Sequence, residues 1–162
     1  MNGLGFECES IMVGSPDVAA GTSETTTSVA DMAGFDEIEY IVHFGDGTNG
    51  SVVTIVAKEN TASSVSSPTP TAIDFTTITT SLASGVITSG DAVLTATATN
   101  MDDKIARFII KKSAMSKRYQ FLSITPATQN MAINSVIVIR RGARAIPVTD
   151  HADVIATAYA AA

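Results

Sequence analysis

The stretch Lys117–Pro147 reads KRYQFLSITPATQNMAINSVIVIRRGARAIP, and it decides the fold. Two runs within it, Tyr119–Thr125 and Ser135–Arg140, are dominated by β-branched and aromatic residues, which fit a pleated, half-buried surface. Pro126 stops the first run, and Gly142 and Pro147 end regular pairing after the second. Cations flank both: Lys117 and Arg118 before the first, Arg140, Arg141 and Arg144 after the second. The apolar content is that of core strands. The cations at their ends need a separate reason.

Further strands lie outward from this centre. In Glu37–Phe44, EIEYIVHF, Ile38, Tyr40, Val42 and Phe44 share one face, while Glu39, Ile41 and His43 share the other. The glycine-rich Gly45–Gly50, GDGTNG, predicts a hairpin loop, with Ser51–Lys58 as the return strand. The Ser/Thr/Pro-rich Glu59–Thr71 reads as a surface loop, Ile73–Leu82 as a strand and Ser84–Asp91 as a turn region. Ala92–Asn100 alternates strictly, and Ile105–Lys112 places Phe108 and Ile110 on one side. Val154–Ala162 reads as extended. These short strands, with no long 3.6-period helix between them, predict an all-β fold: an antiparallel β-sandwich, jelly-roll-like. Residues 31–162 form that single domain, a size that supports a real core. Residues 1–30, broken by Ser15-Pro16, Gly21 and the polar run Thr22–Ser28, form an irregular, extended N-terminal arm in which Ile11–Val13 can pair as a short strand.

Charge is sparse and divided. Only 16% of residues are charged, against the ~25% usual in soluble domains. Residues 1–103 hold fourteen carboxylates and one cation, Lys58, whereas residues 104–162 hold nine Lys or Arg against Asp150 and Asp153. Two readings are open: the halves neutralise each other within one domain, or they match another copy or a partner. Nucleic acid is a poor fit, because the acidic half repels phosphate. Cys8 is the only cysteine, so one chain builds neither a disulfide nor a thiolate metal cluster. The opening residues lack a secretory pattern and no apolar run is long enough to cross a bilayer, so the expectation is a chain made in the cytosol.

No catalytic constellation competes with these strands. His43 lies mid-strand and reads as a hydrogen-bonded structural histidine; His151 sits in a polar tail. Pairing either with Cys8 lacks a local signature. Asp36–Glu37 and Asp102–Asp103 are adjacent, so in extended backbone their side chains diverge. Asp46 and Asn49 fall short of a calcium loop and suit turn chemistry. No phosphate-binding or dinucleotide fingerprint is present. The expectation is no enzyme, no cofactor and no metal.

Two blocks resemble a known family. DMAGFDEIEYIVHFGDGTNGSVVTIVAKEN, residues 31–60, resembles the opening of small virion proteins of tailed bacteriophages, in which Asp-x-x-Gly-Phe precedes a strand, a glycine-rich turn and a second strand. The later block is similar to that family's C-terminal signature, matched by Lys117, Arg118, Tyr119, Gly142, Ala143, Arg144 and Pro147. It departs at Gln120, Phe121 and Leu122, where the family usually continues with Val-Arg. The resemblance implies a head decoration (capsid cement) protein on the virion surface. Its partner would be the major capsid protein, and it would act as a homo-oligomer, a trimer being favoured, without nucleic acid or membrane. Lys117, Arg118, Tyr119, Arg140, Arg141 and Arg144 are then the expected capsid or inter-subunit contacts. The alternative is another virion module: a head-fibre base, a tail part or a binder of host glycan.

Overall fold

A computed structural model describes residues 10–15, 18–21, 23–47, 52–80, 85–88, 91–95, 103–126 and 131–143. In chain order the strands are β1 (Ser10–Ser15), β2 (Val18–Gly21), β3 (Thr25–Thr26), β4 (Ala30–Asp31), β5 (Glu37–Gly47), β6 (Val52–Asn60) and β7 (Thr71–Ile73). Then follow β8 (Thr77–Thr80), β9 (Gly85–Thr88), β10 (Asp91–Thr95), β11 (Ile105–Lys111), β12 (Tyr119–Pro126) and β13 (Met131–Arg141). A single 3-10 turn, Lys112–Ala114, is the one helical element among the described residues. None of these residues forms a helix long and apolar enough to cross a membrane.

Two antiparallel sheets pack face to face, as the alternation predicts. The first runs β1-β13-β5-β11-β8, with β2 also on β13; the second runs β3-β12-β6-β10-β9, with β4 also on β12 and β7 also on β6. The inward rows include those the alternation marks, Ile38, Tyr40, Val42 and Phe44 from β5 and Phe108 and Ile110 from β11, joined by Ala106 of β11 and by Val136 and Val138 of β13. From the second sheet they meet Val53, Ile55, Ala57, Leu122 and Ile124. All these side chains are buried, and their removal from water is the main stabilising term.

Three local expectations change. The predicted hairpin over Gly45–Gly50 is not one: β5 pairs with β11 and β13, while β6 pairs with β12, β10 and β7 in the opposite sheet. β13 is bulged opposite the end of β5, with register shifts between Met131, Ile133 and Ser135. Asn134 Oδ1 stands 2.2 Å from where a Cβ on Gly45 would be, so any larger residue there requires the Asn134 side chain to move. The single strand expected over Ile73–Leu82 is two, β7 and β8, in different sheets; between them Phe75 turns inward against Phe108, ring centroids 5.0 Å apart. The turn expected over Ser84–Asp91 contains β9, which pairs with β10 in register Asp91↔Thr88 to Leu94↔Gly85.

The N-terminal segment is extended, as its composition implies, but its described residues are paired rather than irregular. β1 and β2 run in succession along the outer edge of β13, and β3 and β4 along the outer edge of β12. The segment therefore caps the edges of both strands of the Lys117–Pro147 stretch. Its two limbs are joined where Ser28 N–H donates to Gly14 O at 2.6 Å. Gly14 packs so closely on β13 that a Cβ there would meet Val138 at 2.7 Å. Backbone bonds offered by two open strand edges outweigh the weak hydrophobic drive of the segment itself. Residues 1–9, with Cys8, and residues 144–162, with Arg144, His151 and the expected strand Val154–Ala162, lie outside the described residues.

Candidate interaction surface

The two blocks that carry the family resemblance meet at one end of the sandwich. Arg118, just before β12, grips Asp31 of β4 in a two-pronged pair, its Nε on Oδ1 at 2.7 Å and its Nη2 on Oδ2. Met32 N–H donates to Arg118 O at 2.9 Å, and Ala33 N–H to Asp31 Oδ1 at 2.9 Å. The Arg118 bond is the main cause that holds the Asp31 carboxyl below its ordinary range. Arg140, at the inward end of β13, donates to Asp31 O at 2.8 Å and stands over the Phe35 ring, 4.5 Å from its centroid. Burial pulls its guanidinium pKa down, and the Asp31 charge opposes that. Asp36 N–H donates to Arg141 O at 3.0 Å, and Gly142, at φ +69°, leaves 2.9 Å between its absent Cβ and that of Asp36.

Of the residues expected at an interface, then, Arg118 and Arg140 join this junction. Tyr119 lies half-buried beside it, with the Arg118 guanidinium 5.2 Å from its ring centre. Lys117 is held nearby. Its backbone N–H donates to Glu59 Oε2 at 2.9 Å and its Nζ reaches Thr71 Oγ1. Glu59 also accepts from Ser116 N–H at 2.8 Å and from the Ser116 hydroxyl. Burial alone would raise its pKa, but these donors together hold it below the ordinary value. Glu24, paired with the Ser123 hydroxyl and with Lys58 at 3.2 Å, is lowered too.

Arg141 belongs to a different place, the outer face of the first sheet. There the register sets four rows across β11, β5 and β13: Ile105–His43–Ser135, Arg107–Ile41–Ile137, Ile109–Glu39–Ile139 and Lys111–Glu37–Arg141. Glu39 is fully buried, although it points out of the sandwich. Arg107 from one flank binds its Oε1 and Arg141 from the other binds its Oε2, both from diagonal positions, and Arg141 also lies 3.7 Å from Glu37. The aliphatic stems of two arginines thus cover a carboxylate that their charged ends neutralise. Around this network Ile105 and Ile137 remain 49% and 39% exposed.

The alternation placed Glu39, Ile41 and His43 together on the outward face of their strand. It did not show that Arg107 and Arg141 would close over Glu39, because those partners come from strands 68 and 102 residues away. Isoleucines on an outward face were the available signal. His43 Nε2 lies 3.8 Å from Asp103, and among the described residues no three His, Cys, Asp or Glu side chains converge as a metal site requires. Asp46 is exposed at the end of β5, and Asn49 lies outside the described residues. Phe121, where the sequence departs from the family signature, points out of the second sheet opposite Lys58 and is fully buried. The chain matches no protein-family model and no curated protein.

Proposed function

We propose that the chain is a non-enzymatic virion protein that binds the outside of an assembled phage capsid and bridges neighbouring capsomers. The observation that carries this reading is the junction of the two family-like blocks. Asp31, Phe35 and Asp36 of the first meet Arg118, Arg140 and Gly142 of the second, so the resemblance falls on one coherent structural unit. A ligand that binds the assembled shell better than its free subunits stabilises the shell by mass action.

Co-sedimentation with shells lacking this protein tests the reading. Saturable binding and a raised temperature of shell disruption are expected. A folded chain that stays in the supernatant at saturating concentration overturns it, and binding to host glycan without shell binding favours the alternative virion module. Among the described residues expected as contacts, Lys117 is the cation whose charge can be reversed with least structural damage, because its ammonium has an exposed partner, the Thr71 hydroxyl. Lys117→Glu is expected to weaken shell binding while leaving the fold intact.

A further inference from the structure

We infer that the outer face of the first sheet is where copies of this chain associate with one another. Three observations point to this face and to this occupant. The first is its composition. An exposed face of an antiparallel sheet normally alternates to polar residues, yet Ile41, Ile109, Ile137 and Ile139 stand in its two middle rows beside Arg107 and Glu39, and Ile105 in the row beyond, with Ile105 and Ile137 partly open to solvent.

The second is charge. The chain carries a net −6, so two copies repel one another at long range. This face is different. Arg107, Lys111 and Arg141 are matched by Glu37, Glu39 and, at its end, Asp103. Glu39 is already neutralised within its own chain, so identical faces can meet without confronting bare carboxylates. A partner of strong single-sign charge would gain little here, whereas a second neutral, apolar face gains by burial.

The third is size. Five strands about 4.8 Å apart, over the seven-residue length of β11, give a flat footprint of roughly 600 Å². That is of the order of the ~800 Å² that each partner contributes to a stable interface. A face packed sheet on sheet would bury the isoleucines and leave the arginine–glutamate network at the centre, fully paired. The inference stands apart from the capsid reading: a chain that self-associates through this face but ignores shells would keep one and lose the other.

Sedimentation velocity of the full chain at micromolar concentration tests it, with far-UV circular dichroism and thermal melting as folding controls. The wild type is expected to run as a discrete oligomer. The double variant Ile105→Lys/Ile137→Lys is expected to run as a folded monomer. Should the lysines impair folding, Ile105→Thr/Ile137→Thr keeps β-branched side chains at both positions and is expected to weaken self-association roughly tenfold or more. A monomeric wild type, or an oligomer unchanged in the folded variants, overturns the inference.

Discussion

Arg118 and Asp31 stand 87 residues apart in sequence and form a two-pronged ion pair that ties the edge segment to the start of β12. The pair closes the end of the sandwich where Arg140 covers Phe35. The cations that stand out in the sequence here serve the chain's own acidic half first.

This pairing has a pH signature. The folded-state pKa of Asp31 is depressed, so its contribution is fully present above the ordinary carboxylate range and is lost as pH falls through the depressed value. Asp31→Asn is therefore expected to melt well below the wild type near neutral pH, with the gap closing under strongly acidic conditions. Melting temperatures of both proteins across an acid series measure it. A gap that does not change with pH would show that the charge is not what matters.

Glu39 predicts an asymmetry. Glu39→Ala leaves Arg107 and Arg141 facing each other over a void, and should cost about 2 kcal/mol. Arg107→Ala removes a partner that is half in solvent and should cost less, about 0.5–1 kcal/mol. Urea unfolding of the two single variants decides the order, and equal costs would contradict the role of Glu39 as the shared centre.

Two glycines separate backbone conformation from crowding. Gly34 and Gly142 both hold positive φ, but a Cβ on Gly34 meets nothing within 4 Å, while one on Gly142 would stand 2.9 Å from the Asp36 Cβ. Gly34→Ala should cost about 1 kcal/mol from conformation alone, and Gly142→Ala about 2 kcal/mol or more. The comparison is by chemical denaturation; a smaller loss at Gly142 than at Gly34 would mean that the junction yields easily.

Tyr40 places a hydroxyl in the core with no hydrogen-bond partner among the described residues, and burial pushes its pKa far above the usual tyrosine value. Tyr40→Phe removes an unsatisfied polar group and little else. It is expected to be as stable as the wild type or up to about 1 kcal/mol more stable. A loss of stability in thermal or urea unfolding would point to a partner for the hydroxyl.

By itself the sequence determined which residues face inward. Alternation in Glu37–Phe44 and Ile105–Lys112 follows from the two-residue period of a strand, and that local rule, with the β-branched and aromatic runs of Lys117–Pro147, sufficed to predict an all-β sandwich. The tertiary structure alone decided which strands are neighbours. Alternation looks the same whether β5 turns back beside β6 or crosses to the other sheet, and the bulge at Asn134 opposite its end is a property of two strands together. Edge pairing of residues 10–31 depends on open backbone groups of β12 and β13, and within that segment only Ile11–Val13 was legible as a strand. The same holds for charge. Composition showed an acidic half and a basic half, but only the fold brought Asp31 to Arg118 and Glu39 to Arg107 and Arg141, because an ion pair depends on distance in space and not along the chain.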